Sequence, residues 1–78
     1  MPRYFLHLYN DEECLDEHGV ELADDSAAID RARQEVRVMA AESVRMHGHL
    51  VKSHRIVVMN ASDIVATVRF GDVIAVEE

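Results

Sequence analysis

The sequence predicts an α+β fold of β-β-α-β-β order, with one long helix packed on one face of a small, mainly antiparallel sheet. Three observations carry this. Branched and aromatic residues alternate with polar ones near the start and again near the end of the chain. Between them runs a segment whose apolar residues recur at three- and four-residue steps. The chain has 78 residues, so residues 1–78 make a single domain.

Arg3 to Tyr9 reads as the first strand. Tyr4, Leu6 and Leu8 share one face, and Phe5, His7 and Tyr9 share the other. Asn10 to Gly19 is acidic and holds the turn formers Asn10 and Gly19, so it reads as a loop ending in a tight turn. Val20 to Leu22 then supplies a short second strand, antiparallel to the first.

Asp24, Asp25 and Ser26 are helix starters, and their negative charge complements the helix dipole. Ala28, Ala32, Val36, Met39, Ala40 and Ser43 form the buried stripe, flanked by Ile29 and Val44. The small residues at 28, 32, 40 and 43 imply close approach to a sheet. Arg31 and Glu35 stand one turn apart and can pair on the surface. The helix should end near His47, with Gly48 in the left-handed position after the cap.

His54 to Asn60 is the next strand, centred on Ile56 to Met59. Asn60 to Asp63 forms a four-residue connection, and Ile64 to Phe70 returns as a hairpin partner. Ile64, Ala66, Val68 and Phe70 make its apolar face. Val73 to Val76 reads either as a short edge strand or as a segment packing on a second subunit.

One helix covers one face of a sheet. Phe5, His7, Val57, Met59 and Val65 therefore fall on an uncovered face, and an apolar face of that kind marks an interface. A domain this short buries only roughly 60–65% of its unfolded surface, which makes association a natural source of stability. The expectation is a homodimer formed through sheet face or sheet edge.

Charge narrows the partners. The formal net charge is −7, from 8 Lys+Arg against 15 Asp+Glu. Nucleic acid and anionic membrane both demand a basic patch, so neither is expected. From Tyr4 to Asp30 there is no Lys or Arg, and Asp11, Glu12, Glu13, Asp16 and Glu17 are concentrated there. This acidic surface suits a basic protein partner. It lacks the alternating ligands, glycine and final glutamate of a helix–loop–helix calcium site. Cys14 is the only cysteine, which excludes an intrachain disulfide, and its carboxylate neighbours disfavour a thiolate nucleophile. No apolar run approaches the roughly 20 residues that span a bilayer. A cytoplasmic location and no cofactor are expected.

The opening Met1-Pro2-Arg3-Tyr4-Phe5-Leu6-His7-Leu8 resembles a family of small bacterial domains of unknown function. That family is common in rhizobia and related alphaproteobacteria and typically begins Pro-Arg-Tyr-Phe-Phe-His-Leu. Asp16-Glu17-His18-Gly19-Val20-Glu21-Leu22 is similar to its Asp-x-x-Gly-x-Glu-Leu. Asp24 with Ala27, Ala28 and Ala32 resembles its helix start. Ile56-Val57-Val58 and Val68-Arg69-Phe70-Gly71-Asp72 resemble its closing strands. Leu6 replaces the second Phe, and Gly71 precedes Asp72 where Asp followed by Ala is the family pattern. The resemblance implies a compact α+β domain and carries no activity or catalytic residue.

Two alternatives to a non-enzymatic interaction module arise from single constellations. Loss of Met1 would free Pro2 as a secondary amine, and a desolvated N-terminal proline can act as a general base, as in small tautomerases. The segment between the first strand and the helix departs from that topology. His47, His49 and His54 could bind a metal if they converge, although their spacing fits no established structural site.

Overall fold

The computed structural model describes residues 1–11 and 13–77. Its elements are β1 (Arg3–Tyr9), β2 (Glu13–Cys14), β3 (Val20–Glu21), α1 (Asp25–His47), β4 (Arg55–Asn60), β5 (Asp63–Arg69) and the single turn α2 (Phe70–Val73). The predicted α+β architecture is the one observed. Two elements were not anticipated. The acidic stretch holds a two-residue strand, β2, and the last apolar segment begins as α2 rather than as an edge strand.

The sheet is antiparallel throughout the described residues. Its order is β2-β1-β4-β5, and β3 also pairs with β1. Both short strands lie along the same outer edge of β1. β2 occupies Leu8 and Tyr9, and β3 occupies Arg3 and Tyr4. β4 pairs with β1 over Tyr4 to Tyr9.

α1 forms where the apolar period predicts it. The Asp24 side chain caps it by accepting from the Ala27 N–H at 2.9 Å, and Gly48 ends it at φ 76°. Its buried residues are Ala28, Ala32, Val36 and Ala40. Three of these four are alanines, so the helix lies close to the sheet. The core is completed by Tyr4, Ile56, Val58, Val68 and Phe70. Tyr4 is the largest side chain in it and is 1% exposed. Its hydroxyl donates to Asp25 Oδ1 at 2.7 Å. That bond, with burial and the charges of Asp25 and Asp24, pushes the phenol pKa up to about 12. The contact ties the first strand to the first turn of the helix.

The β4–β5 hairpin is tighter than the sequence suggests. Asn60 pairs with Asp63, which leaves a two-residue loop. Ala61 opens that loop at φ 56°, a positive value of the kind short hairpin turns require. A bulge follows between Val58 and Met59, where Val58 faces Ala66 but Met59 faces Ile64. The extra residue in β5 reverses the side-chain alternation there. Val65, expected on the uncovered face, instead packs against the core, and Ile64 takes its place on the open side at 67% exposure.

Val73 and Ile74 also pack against the core of their own chain. Only the end of that segment projects outward, with Val76 at 91% exposure. The segment therefore does not supply an edge strand. No helix among the described residues is long and apolar enough to cross a membrane.

Candidate functional site

α1 shields one face of the sheet, leaving the other face free of any covering helix. Residues paired directly across strands project from the same face, so the register gives this open face row by row. Phe5, Met59 and Ile64 form one row; His7, Val57 and Thr67 form the next. Glu13, Tyr9, Arg55 and Arg69 form the last. The Phe5 and His7 rings stack with centroids 6.3 Å apart. The Arg55 guanidinium lies 5.0 Å from the Tyr9 ring centroid, a favourable cation–π arrangement. Phe5, His7, Tyr9, Val57 and Met59 are all only half-buried.

A strap along the β1 edge borders this face. β2 and β3 leave a gap opposite Leu6, and Asp16 fills it. Its Oδ2 accepts from the Leu6 N–H at 3.2 Å, while Oδ1 accepts from the N–H groups of His18 at 3.2 Å and Gly19 at 3.0 Å. The Asp16 N–H in turn donates to His7 Nδ1 at 2.9 Å. His7 Nδ1 is thus an acceptor, which assigns the ring hydrogen to Nε2 in the neutral imidazole. Partial burial works against the charged form of Asp16. The three backbone N–H groups, from Gly19, Leu6 and His18, together with His7, prevail and hold its carboxyl below the ordinary value of 3.8.

Arg3 anchors the other end of the strap. It donates to the His18 carbonyl at 2.7 Å and pairs with Glu21 at 3.2 Å. Gly19 allows the close approach, at φ +70°. A Cβ there would lie 2.8 Å from the Tyr4 carbonyl oxygen and 2.9 Å from Phe5 Cε1. Gly19→Ala is therefore expected to lower stability by at least about 1–2 kcal/mol from the left-handed backbone alone. A fall of roughly 5–15 °C in thermal midpoint is the readout. An unchanged midpoint would contradict the packing of the strap on Phe5.

A second feature lies at the other end of α1. A groove of about 460 Å³ runs between the end of the helix and the sheet, lined largely by Leu8, Val38, Met39, Met46, Val51 and Phe70. His47, His49 and His54 all reach it, so the fold brings the three predicted histidines together. They do not form a ligand set. The His47 and His49 rings pack on each other at 5.9 Å, while His54 sits edge-on to Phe70 at 5.7 Å and its Nε2 lies 3.5 Å from Asp11 Oδ1. Among the described residues, no group of three or more His, Cys, Asp or Glu is placed to hold a metal ion.

Pro2 is exposed at the start of β1, and its carbonyl accepts from the Leu22 N–H at 3.1 Å. It does not line the groove, and a proline base needs the desolvation that such a pocket provides. Cys14 is free and exposed. Asp11 is exposed at the rim of the groove and Glu13 on β2, and Glu12 lies outside the described residues.

Sequence reasoning missed Asp16 as the pivot of the strap and grouped it with the solvated acids. The signal was present, because Asp followed three residues later by Gly is a turn signature. The two arginines of the last row were also missed, since their juxtaposition depends on hairpin register.

Fold and site together define a class: a small α+β domain with one helix-covered sheet face and one open, bordered face. The chain belongs to the family described as Domain of unknown function (DUF6894), whose model matches residues 3–71. That span runs from the first residue of β1 into α2 and so includes the strap, the helix and the whole sheet. No curated protein and no solved structure matches the chain.

Proposed function

We propose that this domain is a non-enzymatic protein-interaction module that works as a homodimer. The open sheet face joins the two copies, and the acidic edge is offered to a basic protein partner. The observation that carries the reading is the one-sided cover of the sheet, which leaves Phe5, Val57, Met59 and Ile64 on a single face with no helix over them. Complete burial from water is worth about 1.5–3 kcal/mol for such a side chain; a second copy supplies the apolar surface to bury Ile64 and the still exposed parts of Phe5, Val57 and Met59. Asp11 and Glu17 are exposed on the loops that border β1, where like-signed charge favours association with a cationic surface. A free, exposed Cys14 suits a reducing compartment such as the cytoplasm. The resemblance of the opening residues to alphaproteobacterial domains supports a bacterial setting.

Sedimentation equilibrium tests the reading. The wild-type chain is expected at twice its 8.8 kDa mass. Phe5→Asp and Val57→Asp are expected to be monomers with unchanged far-ultraviolet circular dichroism, because a buried carboxylate in the interface has no partner. A monomeric wild type, or folded variants that stay dimeric, would remove the open face as the interface.

A further inference from the structure

We infer that the two copies pair through the open face about a twofold axis running along the strands, with the carboxylate of Glu13 in each copy meeting Arg69 of the other. This rests on the dimer reading above and specifies its geometry. The row Glu13–Tyr9–Arg55–Arg69 crosses the whole sheet at one end, in cross-strand register. It begins with an anion on the outer strand β2 and finishes with two cations, Arg55 on β4 and Arg69 on the edge strand β5. Like charges directly opposite one another are unfavourable. Arg55 rests on the Tyr9 ring, whereas Arg69 is exposed and, among the described residues, has no ion pair. The cationic end of the row is thus unbalanced within one copy.

A twofold interface is self-complementary. An axis along the strands exchanges the left and right margins of the sheet and keeps its two ends in place. The row then meets its own reverse, with the partner's Glu13 near Arg69 and the partner's Tyr9 near Arg55. The other rows agree. On the same axis, which runs between β1 and β4, Phe5 comes near the partner's Met59 and Met59 near the partner's Phe5, so apolar surface meets apolar surface. His7 comes near the partner's Val57 and Val57 near the partner's His7, so the middle row also meets its own reverse. An in-plane axis perpendicular to the strands would instead lay the charged row over Phe5, Met59 and Ile64, burying charge against hydrocarbon. Aligned sheets cross at about 30°, which keeps these rows in proximity.

Charge reversal tests the pairing in trans. Glu13→Arg and Arg69→Glu are both exposed-site changes that spare the core. Each alone is expected to raise the dimer dissociation constant about tenfold or more, since both symmetric contacts become repulsive. The double variant E13R/R69E is expected to return to within about threefold of wild type. Mixing the two single variants should give mostly heterodimer by native mass spectrometry, because each faulty charge then meets its opposite. Single variants that dimerise as wild type, or a mixture that stays statistical, overturn this pairing. If Phe5→Asp and Val57→Asp are still monomers in that case, the open-face dimer stands and only its geometry falls. A monomeric wild type overturns both.

Discussion

Ile56→Ala is expected to cost about 2–5 kcal/mol, the usual range for removing a large aliphatic side chain from a core. Ile56 is 1% exposed on β4, with Leu8 and Val68 directly opposite on its two neighbouring strands. The fully buried residues that α1 lays on this face are three alanines and one valine, side chains too short to fill the space left behind. The cavity should therefore persist rather than collapse. Domains hold roughly 0.05–0.15 kcal/mol of stability per residue, so the loss is a large share of what this chain possesses. A fall of roughly 10–30 °C in thermal midpoint follows. Val38→Ala at the rim of the groove, at 70% exposure, should change stability by no more than about 0.5 kcal/mol. Equal effects from the two substitutions would contradict the placement of the core.

Asp16→Ala is expected to release the strap while leaving the β1–β4–β5 sheet intact. Three backbone N–H groups lose their acceptor, and one of them, at Leu6, lies on a strand edge that no other strand covers there. Bonds to a charged acceptor contribute about 1.5–3 kcal/mol each when well shielded. Asp16 is only half-buried, so the total is discounted to about 1–3 kcal/mol. Hydrogen exchange should show lost protection at Leu6, His18 and Gly19 and retained protection in β4. Acid should mimic the substitution. The folded-state value of Asp16 lies below the ordinary 3.8, so its stabilisation is fully present above that value. It is lost as the pH falls below 3.8 and through the folded-state value. The wild type should thus lose more stability than Asp16→Ala over that interval, and parallel acid titrations of the two would contradict the assignment.

The fold was largely legible in the residues because its signals are local. Asp24 and Gly48 bracket α1 through capping chemistry that depends on a few neighbouring positions. Alternation from Arg3 to Tyr9 gave β1 its bounds and its two faces. What escaped depends on pairing between distant segments. Glu13 and Cys14 become a strand only because β1 offers an unpaired edge beside them. Val65 and Ile64 exchange faces because the tight Asn60–Asp63 hairpin is followed by a bulge, and no alternation pattern encodes that extra residue. The candidate site divides in the same way. Phe5, His7, Val57 and Met59 follow from strand parity. Asp16, Arg55 and Arg69 owe their positions to a turn and a register. The histidines at 47, 49 and 54 reach one groove, but Gly48 turns His49 back onto His47 while His54 faces Phe70 and Asp11.

The strap also bears on how this chain behaves when crowded. A cross-β filament grows because every chain in it offers two adhesive margins, one to the chain above and one to the chain below. Here the margin of β1 is already occupied by β3 at one end, β2 at the other and Asp16 between them, so the one long bare margin is that of β5. A second chain can add along β5, but the other edge of the product then consists of β2 and β3, two residues each, broken by Asp16. Such short edges are poor templates, so strand addition beyond two chains is disfavoured in a sheet this small and apolar.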